Sequence, residues 1–120
     1  VLPSRSEGFS LTHFEAMFLG KPAIGTKYGG NLEFMNSDNS LLVDYVQCPV
    51  FGMPWKHYTG DQNWSTPRID DFKGKMRIAY KNKVYREKLG RQAALDIREK
   101  FGWESVGNLM KARLQEIAKI

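Results

Sequence analysis

The sequence offers little that could be crosslinked, chelated or buried in a bilayer. Its 120 residues hold one cysteine, Cys48, and two histidines. One thiol cannot close an internal disulfide, so a disulfide-stapled scaffold is excluded and a reducing compartment fits. No apolar run is long enough to cross a bilayer and no segment reads as a signal peptide, which points to the cytoplasm. No Asp-x-Asp step and no His/Cys cluster at metal-ligand spacing occurs. There is no repeat and no low-complexity tract. A starting methionine is missing too: the chain opens on Val1-Leu2-Pro3-Ser4, which reads as the end of a buried strand. The chain is therefore expected to be part of a longer protein. Its bare strand edge invites a homodimer or a strand swap.

The formal charge of +5 is unevenly spread. Residues 1–72 carry 5 Lys and Arg against 8 Asp and Glu, whereas residues 73–100 carry 10 against 3. The basic excess thus falls on one segment, read below as helical. A solvated helix face accounts for it. A surface for nucleic acid or anionic lipid is the sharper reading. No nucleic-acid recognition motif accompanies the charge, so no nucleic-acid partner is expected. Peripheral membrane contact stays open, with Lys81, Lys83 and Arg86 as its carriers.

Periodicity sets out the elements. Leu11, Phe14, Met17 and Phe18, widened by Ala16 and Leu19, predict a helix with one buried face. Gly20-Lys21-Pro22 stops it. Pro22 to Thr26 and Ser40 to Asp44 read as short buried strands, with a short helix from Asn31 to Met35 between them. Alternating strands and helices with short links predict an α/β fold with a parallel sheet. Residues 46–67 hold several Pro and Gly beside Trp55, Tyr58 and Trp64, and read as a loop pinned by its aromatics. The remainder, 68–120, reads as three helices: Ile69 to Tyr80, Val84 to Lys100, and Trp103 to Ile120.

Two glutamates then stand out. Glu7 precedes the first helix and Glu15 lies about one turn inside it. Between them, the amides of Gly8, Phe9, Ser10 and Leu11 are the free donors of a helix start, where the dipole favours an anion such as phosphate. Gly8 permits close approach. Carboxylates suit vicinal sugar hydroxyls. Together these features describe a nucleotide-sugar site. Capping competes as an explanation: Thr12-x-x-Glu15 fits a capping box, and Ser10 could be the N-cap.

The segment PSRSEGFSLTHFEAMFLGKPAIGTKYGGNLEFM resembles the signature of GT-B glycosyltransferases, specifically the retaining group 1 (family 4) enzymes. It matches their pattern at Pro3, Ser4, Glu7, Gly8, Phe9, Leu11, Glu15, Ala16, Met17, Gly20, Pro22, Thr26, Gly29, Gly30 and Glu33. The resemblance is close from Val1 to about Tyr45. It is looser at Gly60 to Pro67, similar to a Trp-x-x-Pro segment of some members, and at Lys100 to Glu104, which resembles the start of their last helix.

The resemblance implies a partial Rossmann-like parallel sheet, the C-terminal half of a GT-B donor domain, followed by C-terminal helices. It implies hexosyl transfer from a nucleotide-diphospho-sugar to a saccharide or lipid-linked acceptor, in polysaccharide or glycolipid assembly, without metal or other cofactor. Carried over, Glu7 would contact the transferred sugar as the catalytic residue and Glu15 would hold the ribose. The amides of Gly8 to Leu11 would face the diphosphate, and Gly29 and Gly30 would form the neighbouring turn. The chain departs from the pattern in two respects. The upstream Arg and Lys that neutralise the diphosphate are absent, as is the acceptor domain, so the chain alone is expected to be inactive. His13 stands where members carry an apolar residue; it reads as packed or exposed, as does His57, and neither reads as a base. The alternative to an enzyme is a non-catalytic nucleotide-binding or interaction module whose glutamates only cap.

Overall fold

A computed structural model describes residues 1–50 and 60–119. Trp55, His57 and Tyr58, read as parts of a loop, lie outside the described residues. Leu2 forms an isolated parallel bridge to Gly25. Next come α1 (Leu11–Phe18), β1 (Ile24–Thr26), a 3-10 turn (Gly30–Glu33) and β2 (Leu41–Val43). β1 pairs with β2 in parallel, Ile24 opposite Leu41 and Thr26 opposite Val43. The crossover logic read from the sequence thus holds: Leu2, β1 and β2 are neighbours in one parallel array, joined by helical links.

The stretch expected as a loop at 46–67 is instead a hairpin at both its ends. β3 (Tyr45–Pro49) and β4 (Asn63–Pro67) pair antiparallel, Tyr45 opposite Pro67 and Pro49 opposite Asn63. The prolines sit at strand ends, where a lost N–H costs no ladder bond. The hairpin is fastened to the segment before α1. Ser65 is fully buried, and both its N–H and its hydroxyl donate to the Arg5 carbonyl, at 3.0 and 2.7 Å. The Arg5 guanidinium lies 5.0 Å over the Trp64 ring.

Three helices follow: α2 (Ile69–Lys81), α3 (Lys83–Phe101) and α4 (Trp103–Ile117). Asn82 caps α3 by accepting from the Tyr85 N–H. Arg86, read as part of a basic surface, donates instead to the Ala79 and Tyr80 carbonyls at the end of α2. α4 has no buried residue, and Leu109, Met110 and Leu114 on it are exposed.

The core has two clusters. One gathers Met17, Ala23, Phe34, Met35, Ala93 and Ile97, with Phe9, Phe14, Leu42 and Phe101 packed against it. The other gathers Ile24, Leu41, Val43 and Leu89. In the first, the rings of Phe9, Phe14, Phe34 and Phe101 meet with centroids 5.0 to 6.2 Å apart, in tilted and edge-on pairs. Such pairs add about 0.5–1.5 kcal/mol each beyond area burial. The cluster fixes Phe9, and with it the loop that leads into α1.

Candidate functional site

The site is built from two loops at the C-terminal ends of neighbouring strands, where ligands bind in open α/β sheets. One runs from Ser4 to Ser10. Its Ser4 carbonyl accepts the Thr26 hydroxyl at 2.7 Å, its Arg5 carbonyl is held by Ser65, and its Glu7 carbonyl accepts the Gly30 N–H at 2.9 Å. The other runs from Lys27 to Gly30 after β1.

Gly29 and Gly30 bind the loops together. Gly29 has φ 98°, a region that side chains avoid, and a Cβ there would lie 2.9 Å from the Glu7 carbonyl oxygen. A Cβ on Gly30 would lie 1.7 Å from the Gly8 carbonyl oxygen. These glycines therefore hold the backbone that carries Glu7. At Gly8 the reverse holds: it is exposed, and a Cβ there would meet no protein atom within 4 Å. The space over Gly8 is open.

The remaining candidates fall as follows. Glu7 is half-buried on the first loop. Phe9 turns its ring into the aromatic cluster and leaves its backbone on the loop. Leu11, 65% exposed, opens α1, and Glu15 lies on the exposed face of the same helix. Phe14, Glu15, Phe18 and Leu19 line an open recess there. The structure thus brings Glu7 and Gly8 against Gly29 and Gly30, with Glu15 one helical turn further along.

The capping explanation does not hold for Ser10. It occupies the N-cap position of α1 but makes no side-chain cap bond, and neither a Thr12 nor a Glu15 capping bond is present among the described residues. The Ser10 hydroxyl lies 2.7 Å from His13 Nδ1. His13 Nε2 lies 3.0 Å from the Ile24 carbonyl oxygen. A carbonyl only accepts, so Nε2 carries a proton, and in the neutral ring Nδ1 accepts from the Ser10 hydroxyl. His13 is 3% exposed. Burial pushes its pKa below the ordinary histidine value, against the raising pull of the Ile24 carbonyl and the nearby Glu7. The shift favours the neutral ring.

His13 is thus packed, one of the two placements read from the sequence, with both ring nitrogens bonded. Asn31, read only as the start of a short helix, is buried: its Nδ2 donates to the Thr26 carbonyl at 3.0 Å, and its Oδ1 has no hydrogen-bond partner among the described residues. Among the described residues no group of three or more His, Cys, Asp or Glu could hold a metal ion. No described helix is long and apolar enough to cross a membrane.

Residues 1–46 match the family model described as "Glycosyl transferases group 1". The chain is 32% identical over 121 residues to a sucrose synthase from Melioribacter roseus, covering 100% of this chain and 13% of that protein. It superposes on the sucrose-phosphate synthase from Thermosynechococcus elongatus with a TM-score of 0.68 and 19% identity, covering 98% of this chain and 24% of that one. At that identity the likeness concerns the fold, which is the α/β arrangement of parallel sheet and C-terminal helices expected from the sequence. The chain thus spans a small part, 13%, of the curated relative's length.

Proposed function

We propose that the chain, whose residues 1–46 match the model of the group 1 glycosyl transferases, is the donor-binding part of a retaining glycosyltransferase. It transfers a hexosyl group from a nucleotide-diphospho-sugar. The observation that carries this reading is the Gly29–Gly30 turn gripping the Glu7–Gly8 backbone beside the start of α1, with open space over Gly8.

The chemistry follows from the placement. The hard step is departure of the diphosphate while positive charge grows at the anomeric carbon. Amides of Gly8 to Leu11 at the helix start stabilise the leaving group. Glu7 orients the sugar hydroxyls and Glu15 the ribose, so positioning supplies much of the rest. No metal and no other cofactor is proposed for the transfer, following the family resemblance. Turnover in EDTA is expected to equal turnover with magnesium. The sequence relative is named for sucrose, which favours a saccharide over a lipid-linked acceptor.

Membrane apposition is a separate part of the reading. With Arg86 engaged at the end of α2, its carriers reduce to the exposed Lys81 and Lys83. Charge reversal at both should weaken binding to anionic liposomes; unchanged binding would remove the idea.

The test is calorimetric titration of uridine, guanosine and adenosine diphosphates into the full-length protein. One should bind, and Glu15→Gln should weaken it about tenfold, the scale of a charge-assisted hydrogen bond. Failure of all three to bind would overturn the reading.

A further inference from the structure

Ser10 has φ 71° and ψ 69°, and it is the one non-glycine among the described residues with positive φ. A left-handed serine needs support from its surroundings. That support is visible. The Ser10 hydroxyl donates to His13 Nδ1 at 2.7 Å, and His13 Nε2–H donates to the Ile24 carbonyl at 3.0 Å. The ring is seated by an empty place on β1: a Cβ at Gly25 would lie 2.8 Å from both Cε1 and Nε2 of His13. β1 therefore fixes the imidazole, and the imidazole fixes Ser10.

This relay ends on backbone that matters. The Ser10 carbonyl accepts the Phe14 N–H at 3.1 Å, the first bond of α1. The φ and ψ of Ser10 orient the peptide planes on either side of it, hence the amides of Ser10 and Leu11. His13 itself cannot reach a substrate. It is 3% exposed, Nδ1 is occupied by Ser10 and Nε2 by Ile24.

We infer that Ser10 and His13 form a positioning pair, which holds a left-handed turn so that the Ser10 and Leu11 amides point at the diphosphate of the donor. This rests on the donor-site reading above and adds to it what sets the amide directions. The pair acts through backbone geometry, so a glycine at position 10 should relieve the need for the imidazole, because glycine takes positive φ without a Cβ penalty.

The experiment uses the full-length protein, with uridine, guanosine and adenosine diphosphates and their unphosphorylated nucleosides as probes. His13→Leu should weaken binding of the favoured diphosphate about tenfold, and by less than about threefold when combined with Ser10→Gly, the scale expected of a lost left-handed preference. Nucleoside binding should change little in either background, which separates positioning from general loosening. Ser10→Ala should bind the diphosphate about tenfold more weakly than Ser10→Gly. This comparison keeps His13 and so stands even if His13→Leu fails to fold. Equal losses in Ser10→Ala and Ser10→Gly, or equal effects of His13→Leu in both backgrounds, would overturn the pair alone. Failure of the native protein to bind any of the diphosphates would overturn the donor-site reading and the pair with it.

Discussion

The Gly30 N–H donates to the Glu7 carbonyl at 2.9 Å, and the missing side chain of Gly30 is what lets the Gly8 carbonyl pass beside it. A methyl at position 30 would sit 1.7 Å from that oxygen. Backbone cannot yield as a flexible side-chain tip can. Gly30→Ala should therefore part the two loops. Thermal unfolding should show a destabilisation of roughly 1–3 kcal/mol, the range for overpacking a filled site. Donor binding should fall further than stability alone accounts for. A variant with native stability and native donor affinity would mean that the contact does not shape the site.

Three helical glycines should respond to alanine with opposite signs. Alanine favours a helix over glycine by about 1 kcal/mol. At Gly74 and Gly107 an added Cβ meets nothing within 4 Å. There the propensity acts alone, and each substitution should stabilise by about 0.5–1 kcal/mol. At Gly90 the Cβ would lie 2.2 Å from the Gly20 carbonyl oxygen, where α3 crosses the turn that ends α1. Packing should win there, and Gly90→Ala should destabilise. Denaturant midpoints of the three variants check this directly.

Much of this architecture was legible in the sequence because period and punctuation agreed. Gly20-Lys21-Pro22 ended α1 where expected, and the three helices read over 68–120 are α2, α3 and α4. The Pro22–Thr26 and Ser40–Asp44 runs became β1 and β2 within two residues. The hairpin was not legible, because β3 and β4 carry prolines and β3 buries no residue, so no alternation announces it.

The apolar stripe of α1 was misread in part. Leu11, Phe18 and Leu19 are exposed, at 65%, 46% and 67%, and the buried face is His13 and Met17. Hydrophobicity could not announce a histidine that is buried because both its nitrogens are bonded. Glu7 does precede α1 and Glu15 does lie about one turn inside it, as read from the sequence. Which groups hold the loop before α1, namely Gly30, Ser65 and His13, depends on partners distant in sequence.

Acid should weaken the fold through His13. Its pKa in the folded protein lies below the ordinary histidine value, first because of burial. The unfolded chain therefore binds more protons as pH falls below about 6.5. The contribution of neutral His13 is fully present above that pH and is lost as pH falls through the folded value. The slope from this one group is at most about 1.4 kcal/mol per pH unit. Urea unfolding of the native protein and His13→Leu between pH 5 and 7.5 should show a slope in the first that is reduced in the second. Parallel curves would mean that His13 titrates alike in both states.

Glu7 is the residue on which the proposed transfer depends. The most direct measurement is release of nucleoside diphosphate from UDP-glucose, GDP-mannose and ADP-glucose by the full-length protein, with Glu7→Gln beside it. Release from one donor is expected, with a loss of about a hundredfold or more in Glu7→Gln, the scale of a mispositioned reactant, and with thermal stability retained. Native turnover in Glu7→Gln, together with a cap-sized stability loss of about 1 kcal/mol, would contradict that role and leave Glu7 as a structural residue.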